Sequence, residues 1–263
     1  YTNMTTNEMF LDSAQLRNNV VARAKMLGYT PTSAKGAEAV LKIAITPSSN
    51  LSSITIPANT LFTSTIDGID YKFTTDVPHT VLQQDSYTSN NIIITEGEPL
   101  SERVLVSGAS SQRFILNNNN VDLSSLKVDV QTSTSNSSLT VFSRATDLTD
   151  VSATSNIFFV DENEDGKYEL IFGDGVLGKA LSVGNIVIPK YKVVNGSVTN
   201  GANNFVSPAN ISGQTNFVTT VMTAARQGSN AEGIDSIKFN APKNFQRQGR
   251  AVVRNDYSRL LLA

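Results

Sequence analysis

From residue 38 to about residue 221, short segments rich in β-branched residues alternate with clusters of Gly, Asn, Ser and Asp. Val, Ile and Thr favour extended backbone because their side chains pack well on a pleated surface, and the small polar residues between them favour turns. Helical spacing is nearly absent here. The stretch therefore predicts antiparallel β units of the sandwich or barrel type. The predicted strands are 39–45, 53–56, 71–74, 91–95, 103–107, 113–116, 125–131, 139–144, 157–160, 167–172, 186–194 and 217–222.

A helical pattern precedes these strands. Thr5 and Glu8 have the spacing of a capping box, in which each side chain bonds to the backbone N–H of the other residue. Apolar or small residues then recur every three or four positions from Met9 to Leu27, and Gly28 supplies a stop signal. We expect one N-terminal helix over this range, with an apolar stripe that packs on another element.

Helical chemistry returns after Gly228. A short segment that begins near Ile234 is expected to end at Pro242, because proline cannot continue a helix without losing a backbone hydrogen bond. A second helical piece should follow over residues 252–262. The predicted fold class is therefore α+β, predominantly antiparallel β, with an N-terminal helix and a short helical C-terminal segment.

Composition shifts divide the chain into four predicted parts. Residues 1–33 form the helix and a connector, 34–76 with 139–225 form a main β domain, 77–138 form an inserted small β domain, and 226–263 form the helical C-terminal segment. The Ser/Thr/Asn-rich stretch at 132–138 has the composition of a linker. Since the chain begins without Met and ends in an apolar run, we expect it to be a piece of a longer protein.

The strongest hairpin signal is the pair Asn195 and Gly196. Both residue types tolerate positive φ, as a two-residue hairpin turn requires. We therefore expect the strand that ends at Val194 to pair with the residues that follow Gly196.

Residue types that carry chemistry are scarce: there is no Cys, no Trp and only one His. Without Cys there is neither a disulfide nor a thiolate zinc site. The apolar runs fall far short of the ~20 residues that span a bilayer. Lys and Arg total 21 against 23 for Asp and Glu, so no net field attracts nucleic acid or an anionic membrane. Basic residues outnumber acidic ones from Arg226 onward, which fits a solvated or partner-facing helical end or a phosphate-binding patch.

Residues 173–179, GDGVLGK, satisfy the dinucleotide pattern and most of the P-loop pattern. A phosphate loop needs a following helix whose N-terminal N–H groups face the anion. Here Ala180 replaces the Ser or Thr that would bind a metal, and the chain leads within a few residues into another predicted strand. We interpret the segment as a glycine-rich turn at the tip of a β-hairpin.

Two further patterns are incomplete. Residues 161–166 begin like a calcium loop, but the twelfth position is Phe172, which has no carboxylate, so a solvated turn between two hairpin arms is expected. His79, the single histidine, would have to serve any Ser or Cys nucleophile, and it follows Pro78 in a predicted loop. We therefore expect no catalytic residue, no metal and no cofactor.

Several motifs, in a consistent order, resemble the baseplate J-like proteins of contractile tails. The strongest covers residues 157–179, from IFFV through YELIFGDGVLGK. The others are IPANTLF at 56–62, TNGANNF at 199–205, AP at 241–242 and RAVVRNDY at 250–257. The family commonly has Gly at the position of Asn59.

This resemblance implies a virion component of the tail baseplate, assembled in the host cytoplasm and without enzymatic activity. Its implied partners are copies of itself, other wedge proteins and proteins near the tail tube and sheath, and not nucleic acid, membrane or a small-molecule substrate. The expected contact residues are Asp174, Val176 and Leu177 on the glycine-rich turn, and Arg250, Arg254, Tyr257, Leu260 and Leu261 near the C-terminus.

Other functions stay open at this point. Many short strands also suit a receptor- or glycan-binding β module, which would bind a glycan as an isolated monomer. A carboxylate hydrolase would lose turnover when one Asp or Glu is replaced. Nucleic-acid binding through the basic end would depend steeply on salt.

Overall fold

Strands make up most of the computed structural model, which describes residues 6–108, 113–145 and 151–247. In chain order the strands are β1 (Glu38–Ile45), β2 (Ser53–Ile56), β3 (Leu61–Ile66), β4 (Ile69–Thr75), β5 (His79–Leu82), β6 (Thr88–Glu96), β7 (Glu98–Ser101), β8 (Val104–Leu105), β9 (Arg113–Ile115), β10 (Val121–Gln131), β11 (Leu139–Arg144), β12 (Ile157–Glu162), β13 (Tyr168–Phe172), β14 (Ile186–Val193) and β15 (Phe217–Arg226). The described residues also form two α-helices, α1 (Arg17–Met26) and α2 (Ile234–Arg247).

The strands fall into two units. The first β unit contains a five-stranded sheet in the order β15, β1, β6, β4, β3, together with the pair β2 and β5. The second β unit is a sheet in the order β7, β14, β10, β11, β12, β13, β9, with β8 also paired to β14. Every pairing is antiparallel except that of β11 with β12. The predicted α+β class with predominantly antiparallel β structure is confirmed.

A short segment joins the two edges of the first sheet. Ala225 on β15 exchanges backbone hydrogen bonds with Gly201 and Ala202, and Thr63 on β3 exchanges them with Val206. A flat sheet of five strands would hold its edge strands about 19 Å apart. The four residue steps from Ala202 to Val206 span at most about 14 Å. The sheet is therefore curved like a barrel wall, and its core side chains fill the interior. They include Leu41, Ile43, Phe62, Phe73, Ile92 and Ile94.

The second β unit has its own core, centred on aromatic rings. The ring of Phe172 lies 5.6 Å from Phe114 and 5.5 Å from Phe142 in edge-to-face contacts, and 6.1 Å from Phe158. Leu170 and Val187 are fully buried beside this cluster. Edge-to-face rings stabilise a core beyond the area they bury.

The two helices pack on each other through small and β-branched side chains. Val20 and Ala24 of α1 and Ile237 and Ala241 of α2 are all fully buried in one cluster. The predicted end of the C-terminal helix at Pro242 is wrong, because α2 continues through this proline to Arg247. Proline removes one hydrogen bond from the helix ladder, and the buried Ile237 and Ala241 pack α2 on α1 on the N-terminal side of it.

The N-terminal helix begins later than predicted. Thr6 and Asn7 are helical, the chain then turns, and α1 starts only at Arg17. The carboxylate of Glu8 accepts hydrogen bonds from the backbone N–H of Gln15 (2.9 Å) and from the Asn19 amide (2.8 Å). Glu8 therefore binds the start of α1 from across a turn, and Thr5 lies outside the described residues.

The hairpin predicted at Asn195 and Gly196 is also wrong. Residues Gly196–Thr199 form a 3-10 helix, and β14 pairs with strands that lie earlier in the chain. A two-residue hairpin does occur at Asp67 and Gly68, whose φ values of 51° and 80° match the mirror-image turn that joins β3 to β4.

Strand pairing does not follow the predicted domain boundaries. β6 lies within 77–138 but pairs with β1 and β4 of the first β unit. β11 to β14 were grouped with the main β domain but share a sheet with β10. Composition marks turns, whereas sheet partners are set by packing between distant strands. The four-part division stays a prediction.

Candidate interaction surfaces

The glycine-rich segment 173–179, named here the contact loop, connects β13 to β14. These strands are not neighbours, since β13 pairs with β12 and β9 whereas β14 pairs with β10, β7 and β8. The predicted hairpin tip is therefore wrong at this position. The hairpin expected just before it is present, with Phe158 opposite Phe172 and Glu162 opposite Tyr168.

Asp174 holds the contact loop in shape. Its Oδ1 accepts the backbone N–H groups of Val176 and Leu177, each at 2.9 Å, and the N–H of Gly175 donates to the carbonyl of Gly178 at 3.0 Å. The backbone N–H groups of Leu177 and Val176 lower the pKa of Asp174, so the carboxylate stays ionised at neutral pH. Val176 is 72% exposed and Leu177 is 47% exposed. The loop thus presents two apolar side chains on an ordered backbone.

Backbone hydrogen bonds fix this loop to the rest of the second β unit. The N–H of Gly178 donates to the carbonyl of Ser152 (3.1 Å), and that of Lys179 donates to Ser155 (2.9 Å). Gly173 has no room for a side chain, since a Cβ there would lie 2.2 Å from the carbonyl carbon of Gly178. The glycines that resemble a phosphate loop therefore allow close backbone contact.

Ion pairs join α1 to the end of β12. Arg17 Nε lies 2.8 Å from Glu162 Oε1, and the Glu162 side chain is only 7% exposed. Lys25 pairs with Asp161 and donates to the Glu162 carbonyl at 2.9 Å. Asp161 and Glu162, the first two acids of the calcium-like stretch, thus belong to β12. The turn between the hairpin arms is therefore shorter than the predicted turn at 161–166. Within the described residues no group of three or more His, Cys, Asp or Glu side chains is placed to hold a metal.

Glu232 anchors the start of α2. Its carboxylate accepts hydrogen bonds from the Tyr29 hydroxyl (2.8 Å), the Ser236 hydroxyl (2.7 Å) and the Asn240 amide (2.9 Å). Burial opposes ionisation of Glu232, but the hydrogen bonds from Asn240, Ser236 and Tyr29 outweigh it and lower its pKa. Together with the Arg17 pair, this network joins both helices to the second β unit.

A polar seam joins the two β units. Lys192, on β14, is nearly buried and pairs with Asp76 at 2.5 Å while donating to the Thr95 carbonyl at 3.2 Å. Glu96 is fully buried and accepts from the Asn195 backbone and side chain. Burial raises the pKa of Glu96, against the hydrogen bonds from Asn195. No sequence motif marks these residues, because a single Lys or Glu in a strand gives no sign of its burial.

The seam borders a cleft of about 650 Å³ that carries both signs of charge. Lys35 and Lys192 face it together with Asp76 and Asp122, and Tyr191 lines it with a hydroxyl held by Asn118 at 2.8 Å. His79 lies elsewhere, at the start of β5, so the loop predicted for it is wrong. The geometry therefore provides polar cross-links between units, and exposed apolar groups lie on the contact loop, on several strands and on the helices.

The remaining predicted contact residues cannot be placed. Arg250, Arg254, Tyr257, Leu260 and Leu261 lie outside the described residues. They follow α2, whose exposed face carries Phe239 and Phe245, with the Lys243 ammonium 3.0 Å from the Phe239 ring centroid. Neither helix of the described chain is long and apolar enough to cross a membrane.

These features define a helix-braced pair of antiparallel β units with an ordered apolar loop. The chain is similar to the baseplate wedge protein gp6 of Enterobacteria phage T4, with 24% identity over 288 residues that cover 97% of this chain and 42% of the phage protein. That similarity confirms the resemblance to baseplate wedge proteins. No family model matches the chain.

A solved structure of the anti-feeding prophage baseplate, determined by cryo-EM with six-fold symmetry, is also similar. The identity is 13% and the TM-score is 0.32, with 97% of this chain and 48% of that chain covered. The chain spans less than half the length of either relative.

Proposed function

We propose that this chain is a structural part of a contractile phage baseplate wedge, which forms the inner ring by self-association and by contacts to other wedge proteins. The observation that carries the proposal is the similarity to a baseplate wedge protein along 97% of the chain. The chain would act in the virion tail, after assembly in the host cytoplasm, and without catalysis.

The contact loop supports this proposal. An interface gains most from apolar groups that are exposed in the free protein and already held in their bound conformation, because less freedom is lost on association. Val176 and Leu177 meet both conditions, since they are exposed and their backbone N–H groups bind Asp174. Tail-tube-proximal and sheath-proximal proteins are the further proposed partners.

The C-terminal segment is the second proposed contact region. Arg250 and Arg254 would form charge-assisted hydrogen bonds with partner carboxylates, and Tyr257, Leu260 and Leu261 would supply apolar contacts. The exposed Phe239 and Phe245 on the preceding helix extend the same apolar character onto described residues.

We expect the double substitution Val176→Asp and Leu177→Asp to weaken wedge assembly at least about 10-fold, because two charges would have to be buried at a central contact. Sedimentation velocity with the other wedge proteins of the same phage measures the effect. The matched control is Val218→Asp with Met222→Asp, two residues of similar exposure on β15. Equal assembly by both double variants would show that the contact loop is not part of the interface.

A further inference from the structure

Strand β11 has an edge that the described strands leave largely unpaired. Leu139–Phe142 pair with β10 on one side, in the register Val128 with Phe142 and Gln131 with Leu139. On the other side, β12 reaches only the last two residues of β11, where Ser143 pairs with Ile157 and Arg144 with Phe158. Among the described residues, no strand continues the line of β12 beside Leu139–Phe142.

The direction of the backbone groups on this edge follows from the bonds that are made. The N–H of Ser143 donates to the carbonyl of Asn156, and that of Ala145 donates to the carbonyl of Phe158. The backbone N–H and C=O groups of the odd-numbered residues of β11 therefore point toward β12. Alternate residues of a strand point the same way, so Val141 and Leu139 direct their N–H and C=O groups to this open side. Within the described parts of the chain, these groups have no hydrogen-bond partner.

The side chains at the same two positions are apolar and exposed. Val141 is 68% exposed and Leu139 is 52% exposed, and both lie on the outer face of the sheet. Natural proteins usually protect an open edge with charge, proline or a bulge, because it can pair with another strand. None of these devices occurs from Leu139 to Phe142.

We propose that this edge binds one extended strand from a different polypeptide chain, which continues the line of β12. The open N–H and C=O groups select a peptide backbone, since only a strand offers donors and acceptors at the same spacing. Val141 and Leu139 select uncharged, β-branched or aliphatic residues on the outer face of the incoming strand.

The edge accepts a single strand more readily than a second copy of itself. Two copies could pair here only antiparallel about a twofold axis. The turn at 132–138 directly precedes β11, and β12 lies beside the opposite end of β11. In an antiparallel pair of copies, the turn of one copy would therefore clash with β12 of the other. A lone strand avoids this clash. It would also end near residues 152–156, where Asn156 bonds to Ser143 of β11 and Ser152 and Ser155 bond to the contact loop.

Amide hydrogen exchange tests this proposal. We expect the Val141 and Leu139 amides to exchange freely in the isolated chain and at least about 100-fold more slowly in purified baseplates that contain it. The amides of β13, which is paired on both sides, serve as the internal control and stay protected in both samples. Unchanged exchange at Val141 and Leu139 within the baseplate would overturn the proposal and leave the proposed function intact.

A backbone variant separates the strand from a side-chain contact. Val141→Pro removes the outward N–H together with the valine side chain, and proline is tolerated on edge strands, so the fold is retained. We expect Val141→Pro to abolish the protection of Leu139 in the baseplate and Val141→Thr to keep it. Protection that appears in the isolated chain as its concentration rises would instead identify a second copy as the occupant and overturn the proposal.

Discussion

Replacing Phe172 with alanine is expected to lower the free energy of unfolding by about 3–5 kcal/mol. Phe172 is only 4% exposed and contacts Phe114, Phe142 and Phe158, which come from three other strands. Removing the ring leaves a cavity that these neighbours cannot fill without breaking sheet pairing. Because Phe172 directly precedes the contact loop, the loop should lose its fixed position as well.

Chemical denaturation of the purified chain measures this effect. Phe245→Ala is the matched control, since the Phe245 ring is 56% exposed and its loss should change stability by no more than about 0.5 kcal/mol. A loss below about 1 kcal/mol for Phe172→Ala would show that the aromatic cluster does not form the centre of the second core.

Arg17→Met should lower stability by about 2 kcal/mol, somewhat less than a fully buried pair would give because Arg17 is 31% exposed. The substitution leaves the Glu162 carboxylate, with its 7% exposure, without its cation. It also removes a hydrogen bond from Arg17 to the Glu232 carbonyl, at the start of α2. The helices and the second β unit would then keep only the Lys25 links of α1 to Asp161 and Glu162 among the ion pairs described above.

Neutralising the partner should reverse part of this loss. We expect the double variant Arg17→Met with Glu162→Gln to regain at least about 1 kcal/mol relative to Arg17→Met alone, because no buried charge is left unpaired. Thermal unfolding of wild type, both single variants and the double variant provides the comparison. A double variant as unstable as the sum of the single variants would contradict a direct interaction between Arg17 and Glu162.

Local sequence chemistry predicts many strands of this fold well. The predicted bounds of β2 and β11 match the structure, because short β-branched segments with polar neighbours leave few alternatives. The hairpin of β12 and β13 is confirmed for the same reason. The α1 helix was placed too early because Glu8 bonds forward to Gln15 and Asn19 at the start of α1.

Two Asx-Gly pairs show that the local sequence alone does not determine whether a hairpin turn forms. Asp67 and Gly68 turn a hairpin, whereas Asn195 and Gly196 do not. The difference lies in tertiary contacts, since the Asn195 backbone and side chain are held by the buried Glu96 carboxylate. A single sequence does not reveal that Glu96 is buried there, so the hairpin prediction fails.

The contact role of the candidate surfaces stays a prediction. The exposure of Val176 and Leu177 agrees with a contact role, but their loop joins two separated strands and is not a hairpin tip. The open edge at Leu139 and Val141 could not be predicted, because it depends on where β12 begins relative to β11. The roles of Arg250 and Arg254 stay predictions.

This chain, as proposed above, is a structural part of the phage baseplate. Quantitative mass spectrometry of purified virions and of baseplates isolated from them tests it most directly. Peptides of this chain are expected in both, in a constant ratio to the other wedge proteins. Their absence from purified baseplates, with the chain present only in the lysate of infected cells, would contradict the proposed function.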